Sequence, residues 1–147
     1  MLINQLSVFI ENKKGHLSKI TKVLKDAQVD IRAISVFDSA EFGILRIVVD
    51  KPELGADALK KAGHVVKQSY VLAIDPSDKV GSLHDVFALL SDNDVNIEYV
   101  YSFVMPSNQG APLIILKADD QEKAIALLTA SDFSLIPKEA VYNVQNG

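Results

Sequence analysis

The sequence contains no cysteine and no tryptophan, and its only arginines are Arg32 and Arg46. Without cysteine there is no disulfide, no thiolate nucleophile and no sulfur metal site. The cytoplasm is the expected compartment. Long apolar runs are also missing: Val71–Ile74 and Leu113–Leu116 are strand-sized and far too short to cross a bilayer. The N-terminus has no basic region, and Asn4, Gln5 and Ser7 interrupt its apolar stretch, so no signal peptide is expected. Positive charge is not in excess: 15 Lys and Arg stand against 19 Asp and Glu, a net charge of −4. General attraction to nucleic acid is therefore not expected, and neither is a membrane partner. No P-loop, Gly-x-Ser-x-Gly or His-Glu-x-x-His motif is present. His16, His64 and His84 lack the spacing of metal ligands, so neither a metal nor a cofactor is expected. Asp92-Asn93-Asp94 and Asp119-Asp120 read as helix-end turns and caps rather than as an acid–base pair.

What the chain does have is a repeat. Its 147 residues, 48% of them apolar, suffice for one domain or two small ones. The stretch Asn12-Lys13-Lys14-Gly15-His16-Leu17 opens an amphipathic helix, which ends before Val29-Asp30-Ile31. The same order returns 66 residues on as Asp78-Lys79-Val80-Gly81-Ser82-Leu83, a helix, then Val95-Asn96-Ile97. Aligning residues 6–37 with 72–103 gives nine identities in 32 positions. Unrelated segments would share roughly two. The chain therefore reads as two copies of one unit.

Each copy has the order β-α-β-β-α-β. Residues 2–10 alternate, with Leu2, Asn4, Leu6, Val8 and Ile10 on a well-buried face. Leu17, Ile20, Val23, Leu24 and Ala27 form the apolar stripe of the first helix. Strands follow at Ile31–Phe37 and Ile44–Val49, joined by the turn Asp38-Ser39-Ala40-Glu41. Pro52 starts a short helix with Ala58, Leu59 and Ala62 buried and Gly63 as its stop. A strand from His64 to Gln68 runs towards Tyr70–Ile74, with no flexible linker between, which predicts rigidly joined halves. In the second copy Ser82 is the expected cap of a helix carrying Leu83, Val86, Phe87 and Leu90. Strands are predicted at Asn96–Val104 and Leu113–Lys117, with the loop Met105–Pro112 between. Asp119 and Glu122 resemble a capping box before the last helix. The final strand is expected at Leu135-Ile136 and Ala140–Val144, split by Pro137 and so at a sheet edge. The economical fold is α+β: two ferredoxin-like βαββαβ repeats, each a four-stranded antiparallel sheet with both helices on one face. Strands one and three should lie in the middle of each.

A glycine bend between strand and helix leaves several backbone N–H groups free at the positive end of the helix dipole. Such a place accepts a carboxylate or phosphate, and glycine lets the ligand come close. Asn12 and Asp78, at matching positions, are candidate acceptors for an amino acid's ammonium. His16 and Ser82 are candidate polar contacts. The plain alternative is that Gly15 and Gly81 only permit tight turns. The second strands are apolar on both sides: Ile31, Ala33 and Phe37 against Ile34 and Val36, and Tyr99, Tyr101 and Phe103 against Val100. Such edges call for cover, so a homodimer through sheet or helix surfaces is expected.

Both copies resemble ACT domains, small regulatory modules. The resemblance is carried by Asn-Lys-Lys-Gly-His-Leu with Val-Asp-Ile and Asp-Lys-Val-Gly-Ser-Leu with Val-Asn-Ile. It spans essentially the whole chain, as domains 1–69 and 70–147, and is greatest to stand-alone tandem ACT proteins with no catalytic domain. It implies amino-acid binding where the first strand–helix loop meets a neighbouring ACT domain. By position the candidates are Asn12, Lys13, Lys14, Gly15, His16 and Leu17, then Asp78, Val80, Gly81, Ser82 and Leu83. The second loop departs from the first, with Val80 for Lys14 and Ser82 for His16, so one loop is a binder and the other structural, or both bind. The implied function is non-enzymatic sensing of a small amino acid, with a regulated metabolic enzyme as a partner. The rival is a ligand-free interaction or scaffold module. An acylphosphatase-type enzyme, which shares the fold, is a distant third, because neither arginine lies in a phosphate loop.

Overall fold

The repeat is visible in how the chain divides. The computed structural model describes residues 2–11, 13–39, 41–77, 79–105, 111–131 and 133–143. Its contacts separate an N-terminal unit, Asn4–Ser69, from a C-terminal unit, Tyr70–Gly147 together with Met1–Ile3.

In the N-terminal unit alternation makes β1 (Ile3–Glu11), and the Gly15 bend ends it and opens α1 (His16–Asp26). Then come β2 (Ile31–Asp38), β3 (Phe42–Val49) and α2 (Pro52–Lys61). β4 (Val66–Asp75) is a single strand whose residues 66–69 belong to this unit and 70–75 to the next. The sheet order is β2-β3-β1-β4, so strands one and three are central. Leu6, Val8 and Ile10 of β1 and Leu45, Ile47 and Val49 of β3 share a core with Ile20 and Leu24 of α1 and Ala56 and Leu59 of α2. Both helices therefore cover one face.

The C-terminal unit repeats this with α3 (Ser82–Asp92), β5 (Ile97–Val104), β6 (Pro112–Ala118), α4 (Gln121–Ala130) and β7 (Ser134–Leu135), followed by α5 (Lys138–Tyr142). The order is β5-β6-β4, with β7 on the other side of β4. Leu72 and Ile74 of β4 and Ile114, Leu116 and Ala118 of β6 pack against Val86, Leu90, Ala124 and Leu128 of the helices. The fold is the expected α+β one, a ferredoxin-like pair.

Local joints are duplicated atom for atom. The Asp50 carboxylate accepts the Asp30 N–H at 2.8 Å, and the Asp119 carboxylate accepts the Asn96 N–H at 3.0 Å. Each ties the approach to a second helix to the start of a second strand. The exits of α1 and α3 match too. Gln28 and Asp94, 66 residues apart, take left-handed φ of 59° and 61° though neither is glycine. There Val29 N–H bonds Leu24 O and Val95 N–H bonds Leu90 O, both at 2.9 Å.

Several expectations are corrected. Leu17 and Leu83 are exposed, because each stands on the first turn beside its bend rather than over the sheet. The buried stripe of α2 is Gly55, Ala56 and Leu59. Ala62 is only the C-cap, because Gly63 with φ 92° already turns the chain away. Ser82 is not the cap of α3. Gly81 holds that position, and the Ser82 hydroxyl bonds Ser77 Oγ at 3.0 Å instead. The cap of α4 is Asp120, whose carboxylate accepts from Lys123 N–H at 3.1 Å, since Asp119 is committed to Asn96. Residues 140–142 of the expected final strand belong to the helix α5, which Pro137 starts instead of splitting a strand. Pro137 has an extended ψ of 149°, and a proline entering a helix forfeits no needed donor. The edge position of the last strand is as expected.

Candidate functional site

Both bends are built alike. Gly15 is the N-cap of α1 with φ 84° and Gly81 that of α3 with φ 88°, and neither helix has a side-chain cap. The left-handed conformation favours glycine because a Cβ there crowds the following carbonyl. The first backbone bonds into the helices are Lys19 N–H to Gly15 O and Asp85 N–H to Gly81 O. His16 N–H turns back to Lys13 O, and Ser82 N–H to Lys79 O. The N–H groups of Leu17 and Ser18, and of Leu83 and His84, thus have no acceptor among the described residues. Two adjacent free donors at a helix start are what a carboxylate needs. Asn12 and Asp78, the candidate ammonium acceptors, lie outside the described residues.

The surroundings of the two bends differ. A groove of about 570 Å³ lies beside the first, lined by Lys13, Lys14 and His16 of the predicted loop. Lys19, Lys22 and Asp26 from α1, Glu11 from β1, and His64 after α2 complete its polar lining. Sequence reasoning missed these five. The i, i+3 spacing of Lys19 and Lys22 was legible as an outer helix face, but nothing local joins His64 to it. A smaller cavity of about 260 Å³ adjoins the second bend, lined by Lys79, Gly81, Ser82 and Leu83 with Ser77, Ser102 and Pro112. Val80 stands wholly in solvent and lines neither.

In the first groove the His16 ring folds back on β1. Its Nδ1 accepts the Glu11 N–H at 3.0 Å and lies 3.2 Å from Glu11 O. The His16 and His64 rings are 5.7 Å apart between centroids. Lys13 pairs with Glu11 at 2.7 Å and Lys22 with Asp26 at 2.7 Å. The hydrogen bond and charge of Lys13 hold the Glu11 carboxyl below its usual range, and Lys13 is raised in turn. Both are exposed, so this pair adds little stability. Burial holds the His64 imidazole below its ordinary 6.5, with His16 and Lys19 pushing the same way. The neutral ring is thus favoured in the folded chain. His64 contributes stability fully present above pH 6.5. That contribution is lost as pH falls, because the unfolded chain takes up the proton first. Urea unfolding followed from pH 7.5 downward should show this decline, and His64→Gln should flatten it.

Comparison with known proteins resolves the family. A family model described as an ACT domain pair matches residues 1–144. The chain belongs to the ACT domain pair family. No curated protein sequence matches this ACT pair. It is similar to a Bacteroides thetaiotaomicron protein of known crystal structure, with 32% identity, a TM-score of 0.89 and 97% of each chain covered. It shares its fold with the ligand-free regulatory subunit of aspartate kinase from Thermus thermophilus, at 13% identity and a TM-score of 0.61, over 88% of this chain and 91% of that one. The fold also recurs in Clostridium acetobutylicum aspartate kinase, at 17% identity and a TM-score of 0.51, over 87% of this chain but 32% of that one. An ACT pair is a regulatory module rather than a catalytic fold. No described helix of this one is long and apolar enough to cross a membrane.

Proposed function

We propose that this ACT pair is a regulatory module that binds a small amino acid at its strand–helix bends. Each unit, 1–69 and 70–147, acts as one ACT domain. The observation that carries the reading is the pair of N–H groups at each left-handed glycine that have no acceptor among the described residues, Leu17 with Ser18 and Leu83 with His84. The ligand's carboxylate sits on those amides. Asn12 and Asp78 are the proposed ammonium acceptors, and Lys13, Lys14, His16, Val80 and Ser82 flank them. Leu17 and Leu83, 41% and 42% exposed in the first turns, present apolar surface to the ligand's side chain or to a second subunit. The regulatory subunit of aspartate kinase among the structures of like fold agrees with a regulatory role. The regulated partner is a metabolic enzyme, the chain works as a homodimer in the cytoplasm, and ligand binding shifts the population of one subunit packing over another.

Thermal-shift screening of the twenty amino acids tests this. One or a few should raise Tm, by roughly 8 °C at a hundredfold excess over Kd, where binding adds about 2.7 kcal/mol. A flat response to all twenty would end the reading. Sedimentation with and without the active amino acid then reports the dimer.

A ligand-free interaction module is favoured by a different observation. Phe9, Phe37 and Phe42 are all about half exposed, and the rings of Phe9 and Phe42 lie 5.3 Å apart. The strand register puts all three on one sheet face, beside Ile44. Monomeric surfaces seldom carry such a cluster unless it meets another protein.

A further inference from the structure

The duplicated frame allows the first groove to be compared with a copy of itself. At the 66-residue shift, Lys14 becomes Val80, His16 becomes Ser82, Lys19 becomes Asp85 and Lys22 becomes Ala88. α3 nevertheless starts from the same left-handed glycine and runs the same 11 residues as α1. The cations of the first copy are therefore not needed to build the helix. Lys19 works against it. α1 has no acid in its first turn and carries Lys19 there, at the positive end of the dipole, whereas α3 carries Asp85. A cluster that breaks a local stability rule in one copy and is absent from the other has a use other than folding.

The geometry of the groove says what that use is. Lys13 and Lys22 have carboxylate partners, but Lys14 and Lys19 have no ion pair among the described residues. His16 is fixed whatever its charge. The neutral ring accepts the Glu11 N–H at Nδ1, and the protonated ring donates from Nδ1 to Glu11 O. In the neutral tautomer that accepts at Nδ1, and in the protonated ring, Nε2 carries the hydrogen, so His16 offers a donor there. His64 stands 5.7 Å away and adds a second imidazole. The cavity volume of about 570 Å³ lies within the size of small-molecule sites.

We propose that this groove of the N-terminal unit is an anion site for a small molecule bearing a compact dianion, a phosphate monoester or a dicarboxylate. Lys14 and Lys19 supply the charge, and His16 Nε2–H fixes the orientation. The C-terminal unit has no such cluster of cations at the matching described positions. The site shares Lys14 and His16 with the amino-acid reading but does not require the bend amides, so either can fail without the other.

The test follows the ring signals of His16 and His64 by NMR in the full chain. Inorganic phosphate, succinate and sodium chloride are titrated at matched ionic strength. Phosphate or succinate should give saturable shifts that chloride does not, and whichever saturates assigns the dianion's class. Lys19→Asp and His16→Ser each install the residue the second copy already uses, so the helix should form in both. Each should weaken binding on the order of tenfold. Shifts that merely track ionic strength, or undiminished affinity in both variants, would overturn the proposal.

Discussion

Leu24→Ala should cost the N-terminal unit about 3 kcal/mol, and Leu90→Ala the C-terminal unit about as much. The two leucines are the same position of the repeat, 66 residues apart, and are 1% and 0% exposed. Each is the knob by which the first helix of its copy enters the core. Leu24 packs with Leu6, Ile47 and Leu59, and Leu90 with Leu72, Leu116 and Leu128. Alanine is the best helix former, so the substitution leaves the backbone content of α1 and α3 intact. What is lost is the transfer energy of the removed methyl groups and the contacts around the void. Native-state hydrogen exchange resolves the effect, because protection should fall in the unit that carries the substitution. A loss below about 1 kcal/mol would mean that the surrounding side chains close the gap, contrary to a tightly packed core.

Valine at either bend should cost about 2 kcal/mol, the penalty for holding a side chain in the left-handed region. Among the described residues, no atom beyond the glycine's chain neighbours lies within 4 Å of where a Cβ would sit at Gly15 or Gly81, so the cost has no steric part from packed side chains. It is the backbone alone, at φ 84° and 88°. This predicts a graded series. Gly15→Asn should lose much less than Gly15→Val, because asparagine visits this region several-fold more often than other side chains do. The same ordering should hold at Gly81. Urea denaturation of the four variants measures it. Equal losses for asparagine and valine would show that the bend relaxes to negative φ and that its conformation is not required.

Much of the frame was legible because the repeat writes it twice. The alternation of residues 2–10, the helical spacing from Leu17 to Ala27 and the stop at Gly63 each have a local cause, and strand order follows from crossover handedness. Errors arose where two neighbours compete for one role. Asp119 and Asp120 are chemically the same, and only the amide of Asn96, distant in sequence, decides which of them caps α4. Ser82 reads as a cap by type, yet its hydroxyl prefers Ser77, which a turn with φ 67° brings beside it. Pro137 is compatible both with an edge strand and with a helix start, and two residues of β7 carry little pattern to choose between them. The bends themselves were readable from glycine and spacing. The groove was not, because His64 joins Lys19 only through the fold.

Gln28 and Asp94 have a consequence of their own. At the exit of the leading helix in each half, a residue with a side chain occupies a conformation in which glycine would rest without strain. The valine amide that follows, bound back to a leucine carbonyl, holds it there. Both halves forgo the same small increment of robustness at the same joint. That is the mark of a chain kept adequate rather than maximal, and these two exits are where an engineer seeking a hardier version would begin.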